Sequence, residues 1–129
     1  MKVLDSHALM IYLEKEPGYE VVRDILCSAA ESGKPCFMSR VNWGEIFYLA
    51  YRESPNKAEE ISELIDTFPI EITDIGRELA RQAAIFKATR KMSYADCFSA
   101  ALAKIKKSEL VTGDREFKTV EDEIKVLWL

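Results

Sequence analysis

Leu110–Phe117 has the sequence LVTGDREF, in which a short apolar run ends in a polar Thr-Gly-Asp turn. This pattern predicts a buried strand that delivers the carboxylate of Asp114 at its carboxyl end. The chain begins in a similar way, because the apolar pair Val3-Leu4 is followed by Asp5. Ligands of open α/β sheets bind outside the carboxyl ends of the strands, so two acids in this position indicate one site.

Outward from this stretch, predicted strands alternate with helical segments. The predicted strands are Lys2–Asp5, Cys36–Met38, Pro69–Ile72, Leu110–Thr112 and Ile124–Leu129. Helices are predicted from Ser6, Tyr19, Ser39, Ser54, Asp74 and Ser93; apart from Tyr19, each starting residue is a favourable N-cap. This alternation favours one α/β domain spanning residues 1–129, a three-layer fold with a parallel sheet flanked by helices.

Composition limits the classes of protein to which the chain can belong. The 129 residues are 48% hydrophobic and 31% charged, which is typical of a globular protein, and no apolar run is long enough for a membrane span. Cys27, Cys36 and Cys97 are widely spaced and His7 is the only histidine, which disfavours a Cys/His zinc site. Reduced thiols favour a cytoplasmic location. The net charge of −4 disfavours a surface that coats nucleic acid, but not a nuclease whose acids hold a metal ion.

Four acids are the candidate site residues: Asp5, Glu45, Asp96 and Asp114. Each is placed at the edge of an element that points to one end of the predicted sheet. Carboxylates on rigid elements are hard oxygen donors suited to Mg²⁺ or Mn²⁺. The sequence therefore predicts that these side chains converge to hold a divalent metal ion.

Each acid also has a purely structural interpretation. Asp5 shares a capping position with Ser6, and Glu45 has either Arg40 or Arg52 within reach as an ion-pair partner. Glu45 has apolar neighbours on its helix, however, so an inward-facing carboxylate there needs a cation to offset its desolvation.

The other two acids have equally simple alternatives. Ser93-Tyr94-Ala95-Asp96 matches a capping box, which explains Ser93 and Asp96 without chemistry. Asp114 follows a glycine, and Gly-Asp is a common turn pair. The helix after Asp96 is rich in small residues, which indicates close packing against a neighbour and places its first turn near the strand ends.

Four segments together resemble the PIN-domain ribonucleases, and more narrowly the VapC-type toxins of prokaryotic toxin–antitoxin modules. These segments are Val3–Leu9 (VLDSHAL), Asn42–Glu45 (NWGE), Tyr94–Cys97 (YADC) and Val111–Phe117 (VTGDREF). Their order and separations fit the family, and the resemblance covers essentially the whole chain. Ser6 departs from the commoner threonine at its position but keeps the hydroxyl.

The resemblance implies a parallel sheet of about five strands and metal-dependent endonucleolytic cleavage of RNA by a metal-activated water. It implies Mg²⁺ or Mn²⁺ as the cofactor, a homodimer, and a cognate VapB-type antitoxin as partner. Asp5 and Asp96 are then expected to bind the metal directly, and Glu45 and Asp114 directly or through water. The hydroxyl groups of Ser6 and Thr112 are expected to orient the metal ligands without binding the metal themselves.

Other functions remain open at this stage. The same fold can serve as a non-catalytic protein-binding module, and the same site can cleave DNA. A response-regulator domain needs an acid after its third strand, where Thr73-Asp74 here indicates a helix cap instead. A haloacid-dehalogenase-type phosphatase needs Asp-x-Asp after its first strand, and Asp5-Ser6-His7 lacks the second acid.

Overall fold

Strands and helices alternate along the computed structural model, which describes residues 1–129 in full. The five strands are β1 (Lys2–Leu4), β2 (Cys36–Ser39), β3 (Ile70–Thr73), β4 (Glu109–Thr112) and β5 (Val126–Trp128). The six α-helices are α1 (Ser6–Glu14), α2 (Tyr19–Ser32), α3 (Arg40–Glu53), α4 (Pro55–Asp66), α5 (Arg77–Thr89) and α6 (Tyr94–Lys106). A 3₁₀ helix, Arg115–Val120, connects β4 to β5. None of the helices has both the length and the apolar character needed to cross a bilayer.

All five strands are parallel and lie in the order β3-β2-β1-β4-β5. The predicted α/β fold, a parallel sheet of about five strands flanked by helices, is therefore confirmed. The chain adds strands to one side of β1 first and then crosses to the other side at β4. The carboxyl ends of β1 and β4 thus form the switch point at which ligands of such sheets bind.

Side chains of the central strands alternate between two apolar cores. Val3, Phe37 and Leu110 pack on the side covered by α5, α6 and the 3₁₀ helix. Their chain neighbours Leu4, Met38 and Val111 pack on the side covered by α1 to α4. Since successive strand residues point to opposite faces, a strand buried on both sides is a continuous apolar run. The three layers follow directly from that pattern.

Helix α6 is the most deeply buried helix of the domain. Every residue from Asp96 to Ala103 is buried, and most of these side chains are small. Small side chains allow the backbone of α6 to approach the sheet and α5 closely, as their number in the sequence indicates. The amino end of α6, which carries Asp96, is consequently held against the end of the sheet.

Two predicted helix caps are wrong, whereas Ser39, Ser54 and Ser93 cap their helices as predicted. Helix α5 begins at Arg77 after Gly76, which provides no side-chain cap, so Asp74 lies before the helix start and does not cap it. The carboxylate of Asp74 instead accepts a hydrogen bond from Arg40 Nε at 3.1 Å. Ser6 is the second residue wrongly predicted as a cap, because its hydroxyl group donates a hydrogen bond to Glu45 instead.

Candidate metal centre

Asp5 occupies the carboxyl end of β1 and is 1% exposed. Its Oδ1 accepts a hydrogen bond from the Ala8 backbone N–H at 2.7 Å, so Asp5, and not Ser6, is the N-cap of α1. Its Oδ2 accepts from Thr112 Oγ1 at 2.5 Å, which joins β1 to β4. Burial raises the pKa of Asp5 to about 6, and the hydrogen bonds from Thr112 and Ala8 oppose that rise.

The turn after β4 brings two more acids to this edge. Thr112 Oγ1 accepts a hydrogen bond from the Asp114 backbone N–H at 3.0 Å. Asp114 in turn caps the 3₁₀ helix, because its Oδ1 accepts from the Glu116 N–H at 2.9 Å. This tight turn places the carboxylates of Asp114 and Glu116 on the same side of the chain, although one residue separates them.

Asp96 reaches the same place from the first turn of α6. Its backbone N–H donates to Ser93 Oγ at 3.2 Å, which is half of a capping box. The carboxylate makes no reciprocal bond to the Ser93 backbone, and Asp96 Oδ2 is buried with no hydrogen-bond partner. The capping-box interpretation therefore explains Ser93 and leaves the Asp96 carboxylate unexplained.

Asp96, Asp114 and Glu116 form the core of the candidate metal centre. One carboxylate oxygen from each lies within 4.8 Å of the others. Burial, a shared hydrogen bond with Glu116 and the negative charges of Asp114 and Asp5 raise the pKa of Asp96 to about 9. Three hard oxygen donors and a buried oxygen without a partner fit Mg²⁺ or Mn²⁺, since a cation removes both the repulsion and the desolvation cost.

Glu45 lies beside this core, half-buried on α3. Its Oε1 accepts hydrogen bonds from Ser6 Oγ at 2.7 Å and from Asn42 Nδ2 at 3.2 Å. Ser6 follows Asp5 in sequence, so Glu45 is attached to the end of β1. Neither of the alternative ion pairs of Glu45 forms, because Arg40 binds Asp74 and the guanidinium of Arg52 lies 4.8 Å from the centre of the Tyr48 ring.

The structure thus brings Asp96 and Asp114 together, with Asp5 close enough that its charge acts on Asp96. Glu45 is connected to them through hydrogen bonds and does not belong to the three-carboxylate core. Sequence reasoning missed Glu116. The signal that could have identified Glu116 is its position two residues after Asp114. Because Asp114 caps the 3₁₀ helix, the Glu116 side chain lies on the same side of the chain as the Asp114 carboxylate. The metal-binding roles of Asp5, Glu45, Asp96 and Asp114, and the orienting roles of Ser6 and Thr112, stay predictions.

His7 lines the rim of the centre at the start of α1. Its Nδ1 accepts a hydrogen bond from the Gly113 backbone N–H at 3.2 Å, so the ring is held against the turn that precedes Asp114. A Cβ atom at Gly113 would lie 2.7 Å from the His7 ring, which explains why glycine occupies this position. His7 therefore braces the turn after β4.

Comparison with known proteins agrees with this fold. The sequence profile of the PIN domain matches residues 2–123. No curated protein sequence matches the chain at a significant level. Similar solved structures include a DNA-bound VapBC from Salmonella typhimurium, with 19% identity and a TM-score of 0.78, covering 98% of this chain and 96% of that one.

Two further solved structures resemble the chain over most of its length. One is a toxin–antitoxin complex from Klebsiella pneumoniae, with 17% identity, a TM-score of 0.72, and coverage of 98% of this chain and 96% of that one. The other is VapC20 from Mycobacterium tuberculosis, described as a toxin that cleaves the sarcin–ricin loop. It has 16% identity, a TM-score of 0.67, and coverage of 92% of this chain and 93% of that one. These similarities establish the fold.

Proposed function

The chain belongs to the PIN-domain family, and on that premise we propose that it is a metal-dependent endoribonuclease, the toxin of a VapBC-type toxin–antitoxin pair. The observation that carries the proposal is the arrangement of Asp96, Asp114 and Glu116, in which one oxygen of Asp96 is buried without a partner. A buried carboxylate that lacks compensating donors destabilises a fold, so a bound cation is the simplest reason for the presence of Asp96.

Asp96, Asp114 and Glu116 are proposed to hold Mg²⁺ or Mn²⁺, with Asp5 and Glu45 at the sides of the site. When bound, the ion activates a water molecule as the nucleophile and offsets the charge that develops on the scissile phosphate. Asp5 fixes β1 against β4 through Thr112, and Ser6 orients the carboxylate of Glu45. Both contacts agree with the orienting roles predicted for the two hydroxyl groups.

RNA is the proposed substrate class, because the Mycobacterium tuberculosis relative cleaves the sarcin–ricin loop, an RNA structure. Arg90, at the carboxyl end of α5, is not free to bind the phosphates of that RNA. It donates to Asp122 at 2.8 Å and forms an ion pair with Glu123, so it braces the end of α5 against the segment after the 3₁₀ helix.

Purified full-length protein and a 5′-labelled structured RNA test the proposal. We expect metal-dependent cuts with Mg²⁺ or Mn²⁺, none with EDTA, and at least about a hundredfold slower cleavage in Asp96→Asn and Asp114→Asn. Asp66→Asn, at an exposed acid at the end of α4, is the matched control and should cleave like the wild type.

The same experiment separates the other candidate functions. Cleavage of single-stranded or duplex DNA but not of RNA would identify a DNase that uses the same centre. Equal cleavage by wild type, Asp96→Asn and Asp114→Asn would mean that a contaminant is responsible. Mn²⁺ binding without cleavage of either nucleic acid would favour a non-catalytic binding module.

An antitoxin and a second copy of the chain are the proposed protein partners, and the cytoplasm is the proposed location. The Klebsiella pneumoniae structure is a toxin–antitoxin complex, and an apolar groove between α1, α3 and α4 offers a surface for such a partner. Its apolar lining includes Met10, Leu13, Ile46, Leu49, Ile61 and Leu64. Inhibition of cleavage by the product of a neighbouring gene, and a dimer mass by light scattering, are the expected results. The three free cysteines agree with a reducing compartment.

A further inference from the structure

We propose that Asn42 is a positioning residue that joins the two sides of the metal centre. It holds the carboxylate of Glu45, on α3, in a fixed relation to the first turn of α6, which carries Asp96. The inference rests on the metal centre of the proposed function and extends it to a residue that is not itself a ligand.

Asn42 is completely buried, and its side chain uses its full hydrogen-bonding capacity. Its Oδ1 accepts from Ser39 Oγ, at the end of β2, and from Ser99 Oγ on α6 at 2.8 Å. Its Nδ2 donates to Glu45 Oε1 and to the Ala95 carbonyl, both at 3.2 Å. One amide therefore connects β2, α3 and α6.

The chemistry of the partners determines which way the amide of Asn42 points. The two hydroxyl groups can donate or accept, but the carboxylate of Glu45 and the carbonyl of Ala95 can only accept. A flipped amide would place its oxygen against both acceptors. The Nδ2 group must therefore face Glu45 and Ala95, as observed.

On the α3 side, Asn42 limits the rotation of the Glu45 carboxylate. Oε1 already accepts from Ser6 at 2.7 Å, and Asn42 supplies a second donor to the same oxygen. Oε2 makes no hydrogen bond, so the pair of donors leaves one oxygen of Glu45 available to a cation in a fixed orientation.

On the α6 side, Asn42 holds the peptide that immediately precedes Asp96. Its bond to the Ala95 carbonyl acts on the first turn of the helix, whereas the bond from Ser99 only satisfies the buried Oδ1. Without this amide, no side-chain hydrogen bond would join α3 to α6. Groups that orient metal ligands through hydrogen bonds change the affinity for the metal without contacting the ion.

Mn²⁺ alone, titrated calorimetrically into the purified full chain, is the probe. We expect Asn42→Ala to weaken Mn²⁺ binding about tenfold. Ser99→Ala is the matched control, because it removes a hydrogen bond from the same buried amide but leaves both Nδ2 bonds intact. It should lower the unfolding temperature without changing Mn²⁺ affinity by more than about twofold. Asn42→Ser is the second variant if Asn42→Ala does not fold.

A double-mutant cycle with Glu45→Gln tests whether Asn42 acts through Glu45. The two substitutions should be non-additive, so Asn42→Ala weakens Mn²⁺ binding less in the Glu45→Gln background than in the wild type. Wild-type affinity in the Asn42 variants, or equal losses in Asn42→Ala and Ser99→Ala, would overturn the inference. A wild-type protein that does not bind Mn²⁺ would overturn the metal centre as well, which distinguishes the two failures.

Discussion

Asp5 and Asp96 are both buried acids at the same edge of the sheet, but their carboxylates differ in the hydrogen bonds that they accept. Both oxygens of Asp5 accept hydrogen bonds, one from Ala8 and one from Thr112. Asp96 is 7% exposed and has one oxygen without any partner. Burial alone therefore does not distinguish the two acids, whereas the number of hydrogen-bond donors that face each carboxylate does.

The pKa values follow the same difference. Burial raises both, but the donors to Asp5 restrain its pKa to about 6, whereas neighbouring acids push that of Asp96 to about 9. A carboxyl group whose burial costs this much free energy is typical of a functional site, where a bound cation can offset the cost. The hydrogen bonds to Asp5 offset part of the cost of burying its carboxylate, whereas one oxygen of Asp96 has no such compensation.

Substitution of Asp96 by asparagine should give the largest difference in behaviour between Asp96 and Asp5. Beyond the loss of cleavage, Asp96→Asn should stabilise the metal-free protein at pH 8 by about 1–3 kcal/mol, because the amide replaces a carboxyl group that must take up a proton on folding. Differential scanning calorimetry in EDTA measures this as a rise of several degrees in unfolding temperature. A variant less stable than the wild type would mean that the Asp96 carboxylate supports the fold.

Asp5→Ala should have the opposite effect on stability. The substitution removes the N-cap of α1 and leaves the buried Thr112 hydroxyl without its acceptor, so we expect a loss of about 2–3 kcal/mol. Urea unfolding in EDTA measures it, with Asp66→Ala as the exposed control. Stability equal to the wild type would contradict the structural role of Asp5.

The pH dependence of stability should reflect both acids. Their pKa values in the fold lie above the ordinary value of 3.8, so the folded state binds more protons than the unfolded state above about pH 4. Stability of the metal-free protein should therefore fall as pH rises, by several kcal/mol between pH 5 and 8. Asp96→Asn should flatten the decline, and saturating Mn²⁺ should reverse it. A stability that increases with pH in EDTA would refute the raised pKa values.

Glu116 should contribute the smallest effect, because it is the exposed member of the three-carboxylate core. Glu116→Gln should weaken Mn²⁺ binding by about threefold to tenfold and leave the unfolding temperature in EDTA nearly unchanged. The exposed Glu121, on the same segment of chain, provides the control Glu121→Gln. Equal affinities in the wild type and Glu116→Gln would remove Glu116 from the centre.

Local patterns in the sequence were sufficient for the architecture. Apolar runs such as Leu110-Val111 predict strands buried on both faces, and Ser39, Ser54 and Ser93 mark helix starts, because both signals depend on near neighbours in the chain. Asp96 and Asp114 were found in the same way, since each follows a cap or a turn signal at the end of an element.

Tertiary structure decided which polar groups meet. Asp5 caps α1 with one carboxylate oxygen, and its other oxygen accepts a hydrogen bond from Thr112, 107 residues away. In the sequence, nothing distinguishes Asn42 from other polar residues of a helix. Its hydrogen bonds to Ser99, 57 positions away, and to Ala95 form only in the folded protein. Glu116 joins Asp96 only because the 3₁₀ turn folds back toward α6. Periodicity and caps are short-range properties that the sequence determines by itself, whereas hydrogen bonds and charge coupling between distant segments exist only after the chain has packed.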